Sequence, residues 1–364
     1  MEHYIEGPDE AGFYSLPELK TPHGKPFRLK NYELVNLVSL ELEFGPPPEN
    51  EPNMYIICSS FIDNDQEKLR ERFADIIEDL ILQDSTLYPG PAGPEVIDWL
   101  NMIEIVNQYL SSNKLSRPPA NNEYWESFED ENESSVSAII TESDEVKKLV
   151  AHFSDVLNTL TNYEIEALHA ALHLSESLVL SILLVKNHCS AQEFAHVYSS
   201  SISHLLPQDL ARAEEVELKD IKGGFDDIIH HARNISQFLE EFRKYDSAAK
   251  LEKILNEPEN EVKEYKSSLR TPIEKDATKK QLYNEVLKSI CGLCNHKGGD
   301  LYIGVNDDGK ILGIEIDKFK SRDEFERTLA TIIENRISTD VEMDSTDLLE
   351  FEYTEVGEKT VCQV

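Results

Sequence analysis

The sequence predicts an α+β chain of two unlike modules, and three observations carry that expectation. After a short β-rich opening, apolar residues recur at helical spacing through most of the first 245 positions. The last third instead alternates helices with short strands joined by glycine turns. Between them, Asn256-Glu257-Pro258 marks a boundary, because the residue before proline disfavours helix. At 364 residues the chain is long enough for two or three domains, each with a core.

The opening reads as a hairpin, with Pro22-His23-Gly24 and Gly24-Lys25-Pro26 turning between short apolar runs. After Tyr32 the period changes. Leu34, Leu37, Val38, Leu40 and Leu42 predict a helix ending near Phe44-Gly45, before Pro46-Pro47-Pro48. A second helix is expected over Phe61 to Gln83, with Leu69, Phe73, Ile76, Ile77 and Leu80 on one face, and a third over Glu95 to Leu110. Pro118-Pro119, Asn121-Asn122 and Glu129-Asp130-Glu131 then mark an acidic loop, so the reading separates 1–112, a loop over 113–144 and a helical bundle over 145–245. In the bundle, helices are expected over Glu145 to Thr159, Asn162 to Lys186 and Ser190 to Ser201. The middle one carries Ile165, Leu168, Leu172, Ser175, Val179 and Ile182 in one stripe, widened by Leu178, Leu180 and Leu183, which predicts a buried central helix. Phe225 to Phe242 closes the bundle, and Asp246 to Glu257 reads as a short linking helix within a 246–258 linker.

From 259 to 364 the pattern is helix Gln281 to Asn295, then Lys297-Gly298-Gly299, strand Leu301 to Gly304, the turn Asn306-Asp307-Asp308-Gly309-Lys310 and strand Ile311 to Ile314. The glycine pair lets backbone N–H groups approach a ligand or a neighbouring chain closely. A helix over Ser321 to Ile333 follows, with Phe325, Leu329, Ile332 and Ile333 on one face. Strands Leu348 to Thr354 and Thr360 to Val364 flank a turn at Gly357.

The formal charge of −35 argues against a general nucleic-acid coat protein, which needs Lys and Arg for phosphate. The acidity is uneven. From Pro258 onward there are 15 basic and 23 acidic residues, net −8, leaving −27 for the first 257. Between Lys263 and Lys288, seven basic residues face four acidic ones beside the glycine pair: a modest phosphate footprint or a solvated helix face. No apolar run of about eighteen residues exists to span a membrane. The N-terminus lacks both a signal-peptide core and an Arg-rich amphipathic pattern, which implies either a cytosolic start or an incomplete gene model. Five scattered cysteines fit reduced thiols and an intracellular compartment. Cys291-Gly-Leu-Cys294 lacks a second pair for zinc and reads as core packing at a helix end.

The run from Ile290 to Ile314, with Glu259, Glu264, Tyr265 and Lys266 upstream, resembles the Schlafen AlbA-type domain, a nucleic-acid-binding module that cuts RNA in some members. The resemblance implies that Glu259, Glu264 and Asp307 (with Asp308 as a substitute) hold magnesium or manganese if the domain is a nuclease, since hard cations take carboxylate oxygens and activate water. Together with the basic window and the glycine pair, it directs Lys266, Arg270, Lys279, Lys280, Lys297, Gly298 and Gly299 toward RNA or DNA. In a strand, a spacing of five puts Glu259 and Glu264 on opposite faces, so a bulge or turn near Glu261 is needed for both to reach one ion. Related domains continue beyond an apolar strand like the last one here, which implies a truncated chain.

More weakly, Leu19-Lys20-Thr21-Pro22 with Gly24-Lys25-Pro26, the Asp84…Tyr88…Pro94 segment, and the Tyr163-to-Leu184 helix followed by Ser190-Ala191-Gln192-Glu193 are similar to the assembly chaperone of the ATP synthase alpha subunit. That resemblance implies a mitochondrial matrix setting and a client bound through Glu214, Glu215 and Glu217. Two readings stand: a nucleic-acid-binding or RNA-cutting C-terminal module, or a non-enzymatic assembly or scaffold protein.

Overall fold

The computed structural model describes residues 5–43, 52–84, 86–87, 104–118, 143–205, 218–272, 278–334 and 349–364. The architecture is α+β. The chain divides into two compact units, Met1–Phe242 and Arg243–Val364.

The first unit opens with the expected hairpin, β1 (Tyr14–Lys20) antiparallel to β2 (Pro26–Leu29). Its tip is pinned by chemistry. Thr21 Oγ1 donates to Asp63 at 2.7 Å, and Lys25 Nζ donates to the carbonyls of Ile62 and Asp63 at 2.9 and 3.0 Å. A cation there meets the otherwise orphaned carbonyls of a helix end. That helix is α2 (Met54–Asp63), which follows α1 (Tyr32–Glu43). The single helix expected over Phe61 to Gln83 is instead the end of α2 plus α3 (Gln66–Leu82). Asp65 caps the N-terminus of α3 by accepting from Lys68 N, while the Asn64 side chain reaches Glu166 at 3.0 Å. Apolar periodicity runs across this break because both helices bury the same side.

α4 (Glu104–Ser112) covers the end of the expected Glu95-to-Leu110 helix, whose earlier residues lie outside the described ones. α5 (Asp144–Thr159) is as expected. The central Asn162-to-Lys186 helix is two, α6 (Asn162–Ser175) and α7 (Leu178–Val185). Glu176 adopts φ 52° and Ser177 becomes the N-cap of α7. The break has a reason: the buried Asp84 carboxylate accepts from Ser177 Oγ at 2.9 Å and from Val179 N at 2.9 Å, anchoring a fresh helix N-terminus. The stripe itself is buried from Ile165 to Val185, as expected. α8 (Ala191–Leu205) follows. The expected closing helix and linking helix are one, α9 (Leu218–Leu255). Residues 5–242 contribute a single apolar core, including Phe27, Leu34, Ile81, Phe153, Phe194 and Phe238.

In the second unit a four-stranded sheet has the order β3-β4-β6-β5, with β3 (Lys263–Lys266), β4 (Asp300–Ile303), β5 (Glu352–Val356) and β6 (Lys359–Gln363). β3 and β4 are parallel, so their connection must cross over. It does so through α10 (Lys279–Cys294), which starts in a capping box of Thr278 and Gln281. α11 (Arg322–Glu334) precedes β5. The expected strand Ile311 to Ile314 is reduced to one bridge, Val305 to Ile311, followed by a short 3-10 turn over Ile314–Asp317. Leu312 N and Gly313 N both converge on the carbonyl of Gly304, which ends the ladder there. The strand expected from Leu348 begins at Glu352.

Alternation along the sheet sorts its two faces. Leu301, Ile303 and Cys362 pack with Val286, Ile290 and Leu293 of α10 and with Phe325 and Leu329 of α11. Tyr265, Tyr302 and Val361 pack on the other side with Leu251 and Leu255 at the end of α9. Burial pushes the Tyr302 hydroxyl up to about 12, aided by Asp300, Tyr265 and Glu352. The Cys291-Cys294 pair, expected in the core, is not there: Cys291 is half-buried and Cys294 exposed, because Ile290 and Leu293 take the inward positions.

Candidate functional site

β3 is an edge strand four residues long, and its alternation decides everything around it. Lys263 and Tyr265 point to the α9 side. The buried Lys263 ammonium donates to the Ile254 and Glu257 carbonyls at 2.9 and 3.3 Å, and Tyr265 Oη donates to the same two at 3.1 and 2.8 Å. Both therefore close the C-terminus of α9, where cations and donors are favoured. Glu264 and Lys266 stand opposite Leu301 and Ile303 in the register and share their face, the one covered by α10.

Between that face and α10 lies a cleft of about 860 Å³. β3 and the following loop contribute Glu264, Lys266, Ser267, Ser268 and Thr271; α10 and its end contribute Glu285, Lys288, Ser289 and His296; the turn after β4 contributes Asp307. Glu264 Oε1 accepts from Lys266 Nζ at 2.7 Å and from Ser289 Oγ at 3.2 Å. Lys266 Nζ also donates to the Tyr265 carbonyl at 2.8 Å. The loop over Leu269 to Thr271 is held by a buried carboxylate. Asp317 accepts from Leu269 N, Arg270 N and Thr271 N at 2.7, 2.8 and 2.8 Å.

Of the three carboxylates expected to share an ion, Glu264 and Asp307 line this cleft and Glu259 does not. The turn anticipated near Glu261 exists, with Asn260 bridging to Lys263, but it aims Glu259 at the open edge of β3, where it accepts from Tyr265 N at 2.6 Å. Among the described residues, no group of three His, Cys, Asp or Glu side chains is gathered to hold a metal ion. The donors as placed do not fit a shared divalent cation.

The residues expected at nucleic acid fare unequally. Lys266 lines the cleft. Arg270 is committed to the fold: its guanidinium donates to the Asp317 and Lys318 carbonyls at 2.7 Å each and stacks 3.7 Å from the Phe319 ring centroid. Lys279, Lys280 and Lys297 are exposed and do not line the cleft. Neither glycine lines the cleft: Gly298 N donates to the Leu293 carbonyl at the end of α10, and Gly299 lets a neighbouring chain segment approach. At φ 152°, a Cβ on Gly299 would lie 2.3 Å from the Val262 carbonyl oxygen, and Asp300 N donates to that oxygen at 2.9 Å. Glu214, Glu215 and Glu217 lie outside the described residues.

Glu285, Ser289 and His296 carry no expectation from the sequence as site residues, and Lys288 enters there only as the end of the basic window. Their signal was the polar face of α10: Glu285, Ser289, Gly292 and His296 recur at three to four residues, opposite Val286, Ile290 and Leu293.

Residues 259–364 match the family described as Schlafen, AlbA_2. The Schlafen AlbA_2 segment thus contains all of β3, the cleft and both sheet edges. No curated protein matches the chain. Among solved structures, Atp12 from Paracoccus denitrificans is similar to the N-terminal part at 15% identity and a TM-score of 0.43, over 65% of this chain and 94% of that one. A single-residue variant of the same protein gives the same figures. Atu1473 from Agrobacterium tumefaciens, described as a candidate chaperone, is similar at 14% identity and a TM-score of 0.44, over 65% of this chain and 83% of that one. The chain is therefore a two-module architecture, a mostly helical unit followed by a Schlafen AlbA_2 segment.

Proposed function

We propose that the Schlafen AlbA_2 segment binds nucleic acid through the cleft between β3 and α10. The observation that carries this reading is the cleft's lining: Lys266 and Lys288, His296, and the hydroxyl-bearing Ser267, Thr271 and Ser289 open onto one hollow. Ammonium and hydroxyl donors of this kind position a phosphate backbone without reading base edges. Glu261, Glu264, Glu285 and Asp307 line it too, so the grip is weak and steeply limited by salt. Binding is preferred to cutting, because one of the three expected metal-holding carboxylates is engaged elsewhere.

The test is incubation of the full chain with a fluorescent tRNA-like RNA and a matching DNA, with and without Mn²⁺, read by anisotropy and on a denaturing gel. A shift without cleavage is expected. Metal-dependent cleavage would replace this reading with a nuclease. Neither shift nor cleavage would refute it and favour a protein-holding role for the first unit.

A further inference from the structure

The cleft is acidic, and the carboxylates that would share a cation are not gathered, yet a cation already sits on the central one. Lys266 Nζ lies 2.7 Å from Glu264 Oε1 and 2.8 Å from the Tyr265 carbonyl. Its side chain is 19% exposed and that of Glu264 34%. An ammonium has three N–H donors. Two are taken, and among the described residues nothing else takes the third, on a side chain that lines the hollow. Ser289, in the C-terminal half of α10, fixes the carboxylate from the opposite wall at 3.2 Å. The lysine is thus oriented twice over, by a strand carbonyl and by a carboxylate that is itself held.

We propose that Lys266 is the phosphate-binding cation of this cleft, its ammonium standing where a shared divalent ion would stand, so that nucleic acid binds without metal. The proposal rests on the nucleic-acid reading above and adds to it. Glu264 and Ser289 are then positioning residues: they hold the lysine, and the ligand's phosphodiester oxygen accepts the remaining N–H. The Lys266–Glu264 pair is neutral as a whole, so the anion meets an oriented N–H donor rather than a bare carboxylate. Lys288 on the facing helix, exposed and lining the cleft, offers a second contact. Two phosphate contacts predict a slope of log affinity against log salt of about −1.4 on a single strand.

Three measurements on the full chain test this. A fluorescein-labelled RNA is titrated by anisotropy in EDTA and again in Mn²⁺. The same titration is run on Lys266→Met, Lys266→Arg and Ser289→Ala. Mn²⁺ alone is titrated calorimetrically into the protein and into Glu264→Gln. We expect equal RNA affinity in EDTA and Mn²⁺. Lys266→Met should weaken binding on the order of tenfold, as loss of one charge-assisted hydrogen bond does. Lys266→Arg should keep most of it, Ser289→Ala should fall between, and Mn²⁺ should show no stoichiometric heat. RNA binding abolished by EDTA, stoichiometric Mn²⁺ heat that Glu264→Gln removes, or wild-type affinity in Lys266→Met would each overturn the proposal while leaving the nucleic-acid reading intact. No RNA binding under any condition would overturn both. If Lys266→Met does not fold, the EDTA and Mn²⁺ arms on the unchanged chain still decide.

Discussion

Replacing Asp317 by alanine removes the anchor of the cleft's loop. The carboxylate is 1% exposed and accepts three backbone N–H bonds of 2.7–2.8 Å, from Leu269, Arg270 and Thr271. Hydrogen bonds to a charged acceptor are worth about 1.5–3 kcal/mol each, and a buried orphan donor costs about 1–3 kcal/mol. Leu269 is fully buried, so its N–H loses any partner, whereas the Arg270 and Thr271 donors sit in part-buried bonds that water can replace. The expected loss is therefore about 3–4 kcal/mol, less than three full bonds. Both tryptophans, Trp99 and Trp125, fall in the first unit, so their fluorescence does not follow this change. Hydrogen exchange by mass spectrometry in graded urea does, on peptides covering 263–272 and 314–320. Asp317→Ala should expose these peptides at lower urea while peptides from 143–205 keep wild-type protection. A shift worth under about 1 kcal/mol would refute the claim that this carboxylate holds the loop.

Further expectations follow from other residues. Gly299→Ala should lower the thermal midpoint of the second unit by several degrees, because its Cβ would meet the Val262 carbonyl at 2.3 Å in a positive-φ backbone; an unchanged midpoint would show that the strand entry can shift. Arg270→Ala should reduce the urea resistance of the 263–272 peptide by about 1–2 kcal/mol and leave RNA affinity within about twofold, since its donors face carbonyls rather than the cleft; the opposite pattern would make it a ligand contact. In the first unit, burial pushes the Glu166 carboxyl up, but hydrogen bonds from His169, Ser60 and Asn64 outweigh it and leave it below its ordinary 4.5. Its stabilising share is therefore present above pH 4.5 and lost as pH falls through the lower folded value. Glu166→Gln should flatten acid unfolding in that window, followed by far-ultraviolet circular dichroism. Asp84 has the opposite sign: burial raises its carboxyl above 3.8 despite donors from Thr86, Val179 and Ser177, so its share is fully present below pH 3.8 and lost as pH rises through the folded value. Asp84→Asn should remove that decline, and identical pH slopes for the two variants would contradict the assignment.

Short-range signals carried much of this into the sequence. Thr278 and Gln281 start α10 by a capping box three residues apart, Asn306 to Lys310 closes a turn with the Asn306 side chain on Lys310 N, and Gly357 at φ 61° joins β5 to β6. Each is settled within a few residues, so composition reports it. The breaks at Asn64 and Glu176 were not legible for the same reason in reverse: Asn64 is held by Glu166 and the start of α7 by Asp84, partners about a hundred residues away.

The α+β class and the buried stripe from Ile165 to Val185 were legible in the residues alone, because side-chain period is a local property of backbone geometry. Only the tertiary structure decided which acids meet. β3 reaches β4 across an intervening helix, Glu259 turns to the strand's open edge, and Lys266 rather than a third carboxylate comes to rest on Glu264. Electrostatic partnership depends on distances of a few ångströms between segments tens of residues apart, and those distances are fixed by packing of the sheet against α10 and the end of α9.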